Sequence, residues 1–357
     1  MSGTSMDGID AALVEFNSST SFRLHNSTFT AFPSKLRDRI AHTCQNNQDL
    51  ACNHDSPLHD ELAPHYAQAA LNLIEISNIP SKSIKAIANH GQTVKHEPNA
   101  KPPYSLQLGD GQKIANLTGR PVICQFRQAD LAAGGQGAPL MPAFHQAAFS
   151  KLESACVVNI GGISNVSFLK QPLSGYDTGP GNCLMDQWIC HHLEQRYDKN
   201  GQWARSGEVN QQLLKRFMSD DYFSRSEPKS TGTDYFNLDW LMQQQVSSLE
   251  AKTVQRTLLQ LTVESIAQEI LKMMSSGTLY VCGGGAENSF LMHCLAEHLT
   301  SFKVTTTDSL GLPADQLEAI GFAWLAYCFN HKIASNAPSV TGAKKECVLG
   351  ELYMPGN

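Results

Sequence analysis

Apolar and polar positions alternate along this chain in short blocks that predict both strands and helices. Ile9-Asp10-Ala11-Ala12-Leu13-Val14-Glu15-Phe16 has the β-branched and apolar content of a strand and follows a glycine-bearing turn. From about Ser56 to Ser77, Leu58, Leu62, Tyr66, Ala69, Leu73 and Ile76 recur at near-helical spacing and predict a helix. Ile84 to Ala88 reads as a short buried strand that empties into the polar turn Asn89-His90-Gly91-Gln92. Strand, helix and strand ending in a polar loop is the rhythm of an α/β domain whose functional residues sit at strand ends.

Around Gly134 the pattern loosens into Ala132-Ala133-Gly134-Gly135-Gln136-Gly137-Ala138-Pro139 before a predicted helix at Pro142 to Phe149. The second half opens on the apolar strand Ala155 to Ile160, a Gly161-Gly162 turn and a second strand, Asn165 to Leu169. This repeats the opening of the chain and suggests two related halves. A long helix (Lys252 to Met274), a strand (Thr278 to Cys282) ending in three glycines, a helix (Asn288 to Leu299) and a last helix (Ala314 to Phe329) follow.

The length of 357 residues exceeds a single domain of ~100 to 200 residues and favours two domains sharing a cleft. With 41% hydrophobic and 17% charged residues, the chain can pack a large core. A formal net charge of -6 argues against nucleic acid and anionic membrane as partners, since both rely on a dominant basic field. No stretch approaches the ~20 apolar residues of a membrane span, and Met1-Ser2-Gly3-Thr4 lacks the features of a leader, so a cytoplasmic location is expected. The ten cysteines form no Cys-x-x-Cys pair and read as reduced thiols. The adjacent His191 and His192 point about 100° apart on a helix and cannot chelate together.

Candidate chemistry gathers at three glycine turns: Gly3-Thr4-Ser5-Met6-Asp7-Gly8, Asn159-Ile160-Gly161-Gly162-Ile163-Ser164, and Gly283-Gly284-Gly285-Ala286-Glu287-Asn288. Glycine lets backbone N–H groups approach an anionic ligand with no Cβ in the way, and three such turns suggest loops around one nucleotide. None matches the P-loop or the dinucleotide-binding pattern. A fourth stretch, Asp177-Thr178-Gly179-Pro180-Gly181-Asn182-Cys183-Leu184-Met185-Asp186, predicts a turn, an N-cap at Asn182 and a helix with Asp186 about one turn in. Asp186 reads either as a first-turn acid that stabilises the helix or as a general base kept charged by the helix dipole.

Six ordered motifs, MSGTSMDGID (Met1 to Asp10), NHGQTV (Asn89 to Val94), AAGGQGAPL (Ala132 to Leu140), NIGGISNV (Asn159 to Val166), DTGPGNCLMD (Asp177 to Asp186) and PSVTGA (Pro338 to Ala343), resemble the anhydro-N-acetylmuramic acid kinases nearly end to end. The resemblance implies two actin-like, ribonuclease-H-like α/β domains with ATP in the cleft. The expected division is 1–145, 146–335 and a C-terminal segment 336–357 that packs back on the first domain. Residues Gly3, Thr4, Ser5, Met6, Asp7 and Gly8 become the first phosphate loop, Asn159, Gly161 and Gly162 the second, and Gly283, Gly284, Gly285 and Asn288 the adenosine loop. Asp186 becomes the base, while His90, Gln92, Asp177 and Glu318 are expected at the sugar. Magnesium, with Asp7 the nearest acid, completes the ATP site, and a homodimer is compatible with the reading. The implied reaction opens the 1,6-anhydro ring of 1,6-anhydro-N-acetylmuramic acid with water and phosphorylates its 6-oxygen, a step of cell-wall recycling.

Three positions depart from the family pattern. A short apolar strand is expected ahead of Met1-Ser2-Gly3, Gln125 stands where Asp is usual, and Thr233 stands where Arg is usual. Another sugar or acetate kinase of the same fold, with Asp186 deprotonating a hydroxyl directly, and an inactive nucleotide-binding member are the alternatives.

Overall fold

The computed structural model describes residues 1–3, 6–45, 56–170 and 172–356. They form two compact units, Met1–Ser150 with Glu318–Asn357, and Lys151–Leu317. In chain order the strands are β1 (Gly8–Ser18), β2 (Ser21–Ala31), β3 (Ile87–Ala88), β4 (Gln92–Glu97), β5 (Tyr104–Leu108), β6 (Val122–Cys124), β7 (Ala155–Ile160), β8 (Ile163–Phe168), β9 (Ser174–Pro180), β10 (Gly277–Cys282), β11 (Phe302–Thr306) and β12 (Glu351–Tyr353).

The second unit is built on one five-stranded sheet in the order β11-β10-β7-β8-β9. β7, β8 and β9 run as an antiparallel meander, and β10 and β11 join parallel to β7. That is the ribonuclease-H-like order, with the first strand of the unit at its centre. β7 takes the central place because Ala155-Cys156-Val157-Val158 is apolar on both faces, as a strand covered on both sides must be. The helix Ala251–Met273 packs along this sheet with Val254, Leu258, Leu261, Val263 and Ile266 fully or almost fully buried. Buried polar residues of the helix bond to neighbouring segments; Thr262, for example, donates to the Gly181 carbonyl at 2.8 Å.

In the first unit the strands fall into three groups: β1 with β2, β12-β6-β3, and β4 with β5. β1 and β2 pair antiparallel from Gly8↔Ala31 to Ser18↔Ser21. The helix Pro57–Ile76 places Leu58, Leu62, Tyr66 and Ala69 into the core with Ile9, Leu106, Leu108, Ile114 and Val122. Ser56 caps it, its hydroxyl accepting from Leu58 N–H.

The helix Leu317–Asn330 enters this same unit, whereas the sequence reading carried the second domain on to residue 335. The cause is visible in its side chains. Phe322 lies 5.5 Å from the Phe126 ring, Trp324 donates to the Ser19 carbonyl at 2.8 Å, Tyr327 stacks on Phe16 at 4.9 Å, and Gly321 leaves room for Met141. The break after residue 145 falls instead at Ser150, past the helix Met141–Ala148.

Candidate active site

In the second unit the C-terminal ends of β7, β9 and β10 lie at one end of the sheet, since all three run in the same direction. Ligands in α/β sheets bind at such carboxyl ends. The turn after β7 is tied to the turn after β9: Asn182 N–H donates to the Gly161 carbonyl (2.8 Å), and Gly181 and Cys183 N–H donate to Gly162 (2.9 and 3.1 Å). The turns touch so closely that a Cβ on Gly181 would sit 2.4 Å from the Gly161 oxygen. The Gly283 turn closes on the same place. Gly283 has φ +79, and a Cβ there would meet Asn159 Oδ1 at 2.2 Å and the Ile160 carbonyl at 2.9 Å; one on Gly285 would strike the Ile160 side chain at 2.4 Å. Thus Asn159, Gly161, Gly162, Gly283, Gly284 and Gly285 are gathered at one end of the sheet. Asn288 caps the next helix, Ser289–His298, by accepting from Leu291 N–H at 3.0 Å.

Asp186 lies in the first turn of the helix Cys183–Leu193, its N–H bonded to the Asn182 carbonyl. Asn182 itself does not cap with its side chain. Its backbone is already helical, and its amide turns away to donate to the Ile160 carbonyl at 3.2 Å, so the cap expected from the sequence is traded for a brace between turns. Burial, with the Asp198 carboxylate adding repulsion, pushes Asp186 up to about 7. The helix dipole was expected to keep this acid charged at neutral pH; desolvation outweighs it. Asp198 is buried and fixed by Trp203 N–H (2.9 Å), Ala204 N–H (2.8 Å) and the Gln255 amide (3.3 Å).

Asp177 sits on β9, where Thr231 N–H donates to its Oδ2 at 3.0 Å and its own N–H reaches the Lys229 carbonyl. Burial lifts its carboxyl to about 7 against the pull of that N–H and of the Lys229 charge. Lys229 is itself buried and paired with Glu269 at 2.9 Å, and Tyr176 donates to the other Glu269 oxygen.

The first unit brings together a second set. Gln92, buried at the start of β4, donates to the Gly3 carbonyl at 3.2 Å, and the Ser2 hydroxyl reaches Tyr66 at 2.5 Å and the Gly91 carbonyl at 3.4 Å. The NHGQTV turn and the Gly3 loop are therefore one structure. Met6 takes φ +53 to turn that loop into β1. His90 is buried beneath the Phe322 ring, 4.3 Å away, with its Nε2 3.0 Å from Arg127. Glu318, in the first turn of the last helix, is raised by burial and by Asp10 and drawn down by Arg127. Thr4 and Ser5 lie outside the described residues.

The sequence pattern of the anhydro-N-acetylmuramic acid kinases matches residues 1–355. The chain belongs to that family. Proteins named anhydro-N-acetylmuramic acid kinase from Aliivibrio fischeri, Shewanella pealeana and Shewanella denitrificans are 45%, 45% and 46% identical to it. The alignments cover 100%, 99% and 99% of this chain and 98%, 97% and 96% of those relatives.

The sequence resemblance expects magnesium beside Asp7. Its side chain is exposed, and among the described residues no group of three His, Cys, Asp or Glu could hold a cation alone. A single exposed carboxylate fits an ion that travels with nucleotide phosphates and keeps most of its water. Arg127, Asp130, Asp198 and the Lys229–Glu269 pair escaped the sequence reading. Arg127 and Asp130 carry one signal that could have found them: two opposite charges three residues apart, directly before a glycine-rich loop. Gln125, where the family usually has Asp, adopts φ +57 before the helix Gln128–Ala132. Among the described residues no helix is long and apolar enough to cross a membrane.

Proposed function

We propose that the chain is an ATP-dependent kinase that opens the 1,6-anhydro ring of 1,6-anhydro-N-acetylmuramic acid and phosphorylates the freed 6-oxygen, giving N-acetylmuramic acid 6-phosphate and ADP. Asp186 takes a proton from water as its oxygen bonds to the anomeric carbon and the bond from that carbon to O6 breaks. O6 then bonds to the γ-phosphorus while the β–γ bridging bond breaks toward ADP. The observation that carries this reading is the half-buried Asp186 carboxyl, one helical turn from a knot of glycine turns at the strand ends. A carboxylate lifted to about 7 is poised for proton transfer near neutral pH, and glycine turns present N–H groups to phosphate.

The Gly3–Gly8 and Asn159–Gly162 loops are assigned to the phosphates, Gly283–Asn288 to the adenosine, and His90, Gln92, Asp177 and Glu318 to the sugar. Magnesium, when bound, supplies charge neutralisation at the phosphates, with Asp7 as its protein acid. A cytoplasmic enzyme acting in cell-wall recycling, with a homodimer as a compatible assembly, completes the reading. The test is ATP consumption with and without the anhydro-sugar, run in ¹⁸O-water. Turnover that needs the sugar and places solvent oxygen at the anomeric carbon supports the reading. Equal turnover without sugar sinks it, and sugar phosphorylation without that label points to direct deprotonation of a hydroxyl by Asp186.

A further inference from the structure

The first unit contains a buried carboxylate that no step of this reaction uses. Asp130, on the helix Gln128–Ala132, is 0% exposed and accepts three hydrogen bonds: Gly137 N–H at 2.8 Å, the Asn336 amide at 2.9 Å and the Thr341 hydroxyl at 2.7 Å. The glycine loop wraps it so tightly that a Cβ on Gly135 would lie 2.2 Å from Asp130 Oδ2. The Gly137 peptide is held from both ends. Its N–H goes to Asp130, and its carbonyl accepts from Arg127 Nη1 at 2.8 Å. The other terminal nitrogen of Arg127 lies 3.0 Å from His90 Nε2.

A guanidinium has donors only. Burial lowers Arg127 to about 10, so it stays protonated at neutral pH. Nε2 of His90 must then be the lone-pair nitrogen, and the ring's single proton must sit on Nδ1.

We propose that Asp130 is a positioning residue: through the Gly137 peptide and Arg127 it locks His90 in the Nδ1–H tautomer, never a base, and so holds the NHGQTV turn in the form that meets the sugar. The functional half of this inference rests on the sugar-binding reading of His90.

The surroundings agree with the lock. Burial, Arg127 and the Met1 amino group all disfavour a second proton on the ring and hold it well below the usual histidine range, while backbone groups of Gly91 and Ser2 pull weakly the other way. The last helix sets the uncharged Phe322 ring against it, and the acid of that helix, Glu318, acts on Arg127. A ring locked in one tautomer keeps that turn unchanged at every working pH.

The test is ¹⁵N NMR of the full chain labelled at histidine, with the His90 signals assigned by their loss in His90→Gln, followed from about pH 5 to 9. The parent is expected to show a protonated Nδ1 and a bare Nε2 throughout. In Asp130→Asn, whose amide nitrogen meets one of the three donors head-on, the two signals should move toward a tautomer average, and KM for the anhydro-sugar should rise several-fold with KM for ATP unchanged. A titrating His90 or an Nε2–H pattern in the parent overturns the proposal, as do parental His90 signals in the variant. Should Asp130→Asn not fold, Thr341→Val removes one donor from the same carboxylate and is read in the same way. Displaced signals with an unchanged sugar KM would overturn the sugar contact alone and leave the tautomer lock standing.

Discussion

The two units hold their functional residues by different means. In the second unit a continuous five-stranded sheet delivers three turns to one end, and main chain rests on main chain: Gly181 against Gly161, Gly283 against Ile160. In the first unit the strands are split among three groups, and side chains do the fastening: Ser2 to Tyr66, Gln92 to Gly3, Arg127 to His90 and Gly137, Asp130 to Gly137. The contrast teaches where each site is vulnerable. A backbone-built site fails when an atom is added, and a side-chain-built one when an atom is removed.

The sharpest use of this comparison is Asp186→Asn. If the second unit's scaffold is main chain, the change should leave its fold intact and remove only the base, so turnover should fall by the ~100- to 10,000-fold of lost general-base catalysis with ATP binding retained. Turnover within a few-fold of the parent, at matched folding, would return Asp186 to a helix-stabilising acid. Next in size is Gly181→Ala, whose new Cβ would meet the Gly161 oxygen at 2.4 Å and the Ile163 and Ser164 backbone at 3.2 Å. Such overpacking costs ~1 to 3 kcal/mol, read as a lower urea midpoint, together with weaker ATP binding. A variant as stable as the parent would show that the turns are looser than their contacts imply.

In the first unit the matching experiment deletes atoms. Ser2→Ala removes one buried partner of Tyr66 and should cost about 0.5 to 1.5 kcal/mol, with KM for the sugar and KM for ATP both raised because the hydroxyl braces the turn and the loop together. Unchanged stability and constants would show that this hydroxyl does not hold the joint. The smallest expected effect is in the pH profile. Asp186 must be ionised to act, so kcat/KM should fall as pH drops through about 7. In Asp198→Asn the like charge is gone, Asp186 ionises more readily, and that acid limb should move to lower pH; a move to higher pH would exclude Asp198 as its cause.

Legibility in the sequence followed the same divide. β7 and the helix Pro57–Ile76 could be read because their apolar residues declare a period by themselves. β2 could not: Arg23, His25, Asn26 and Ser27 make it polar, and it is a strand because β1 pairs with it along its whole length. β3 shrank from the expected Ile84 to Ala88 to Ile87–Ala88 because only those two residues pair with β6, Ile87 with Val122 and Ala88 with Ile123. The glycine turns stood out as residue types. Asp130 did not, since two of its three partners lie 206 and 211 residues away and its spacing from Arg127 does not by itself mark a buried acid. Asn182 misled in a similar way, a good capping residue diverted by the Ile160 carbonyl of another turn.

The return of the chain to its first unit at Glu318 also sets an order of assembly. During synthesis, residues 151–317 emerge as an uninterrupted segment that can complete its sheet while the earlier part still waits for its closing pieces. Until Asn336 and Thr341 leave the ribosome, Asp130 has only the Gly137 N–H among those three donors, and a carboxylate so poorly paired resists burial. Closure of the PSVTGA turn over Asp130 is therefore expected to come late in the folding of the first unit.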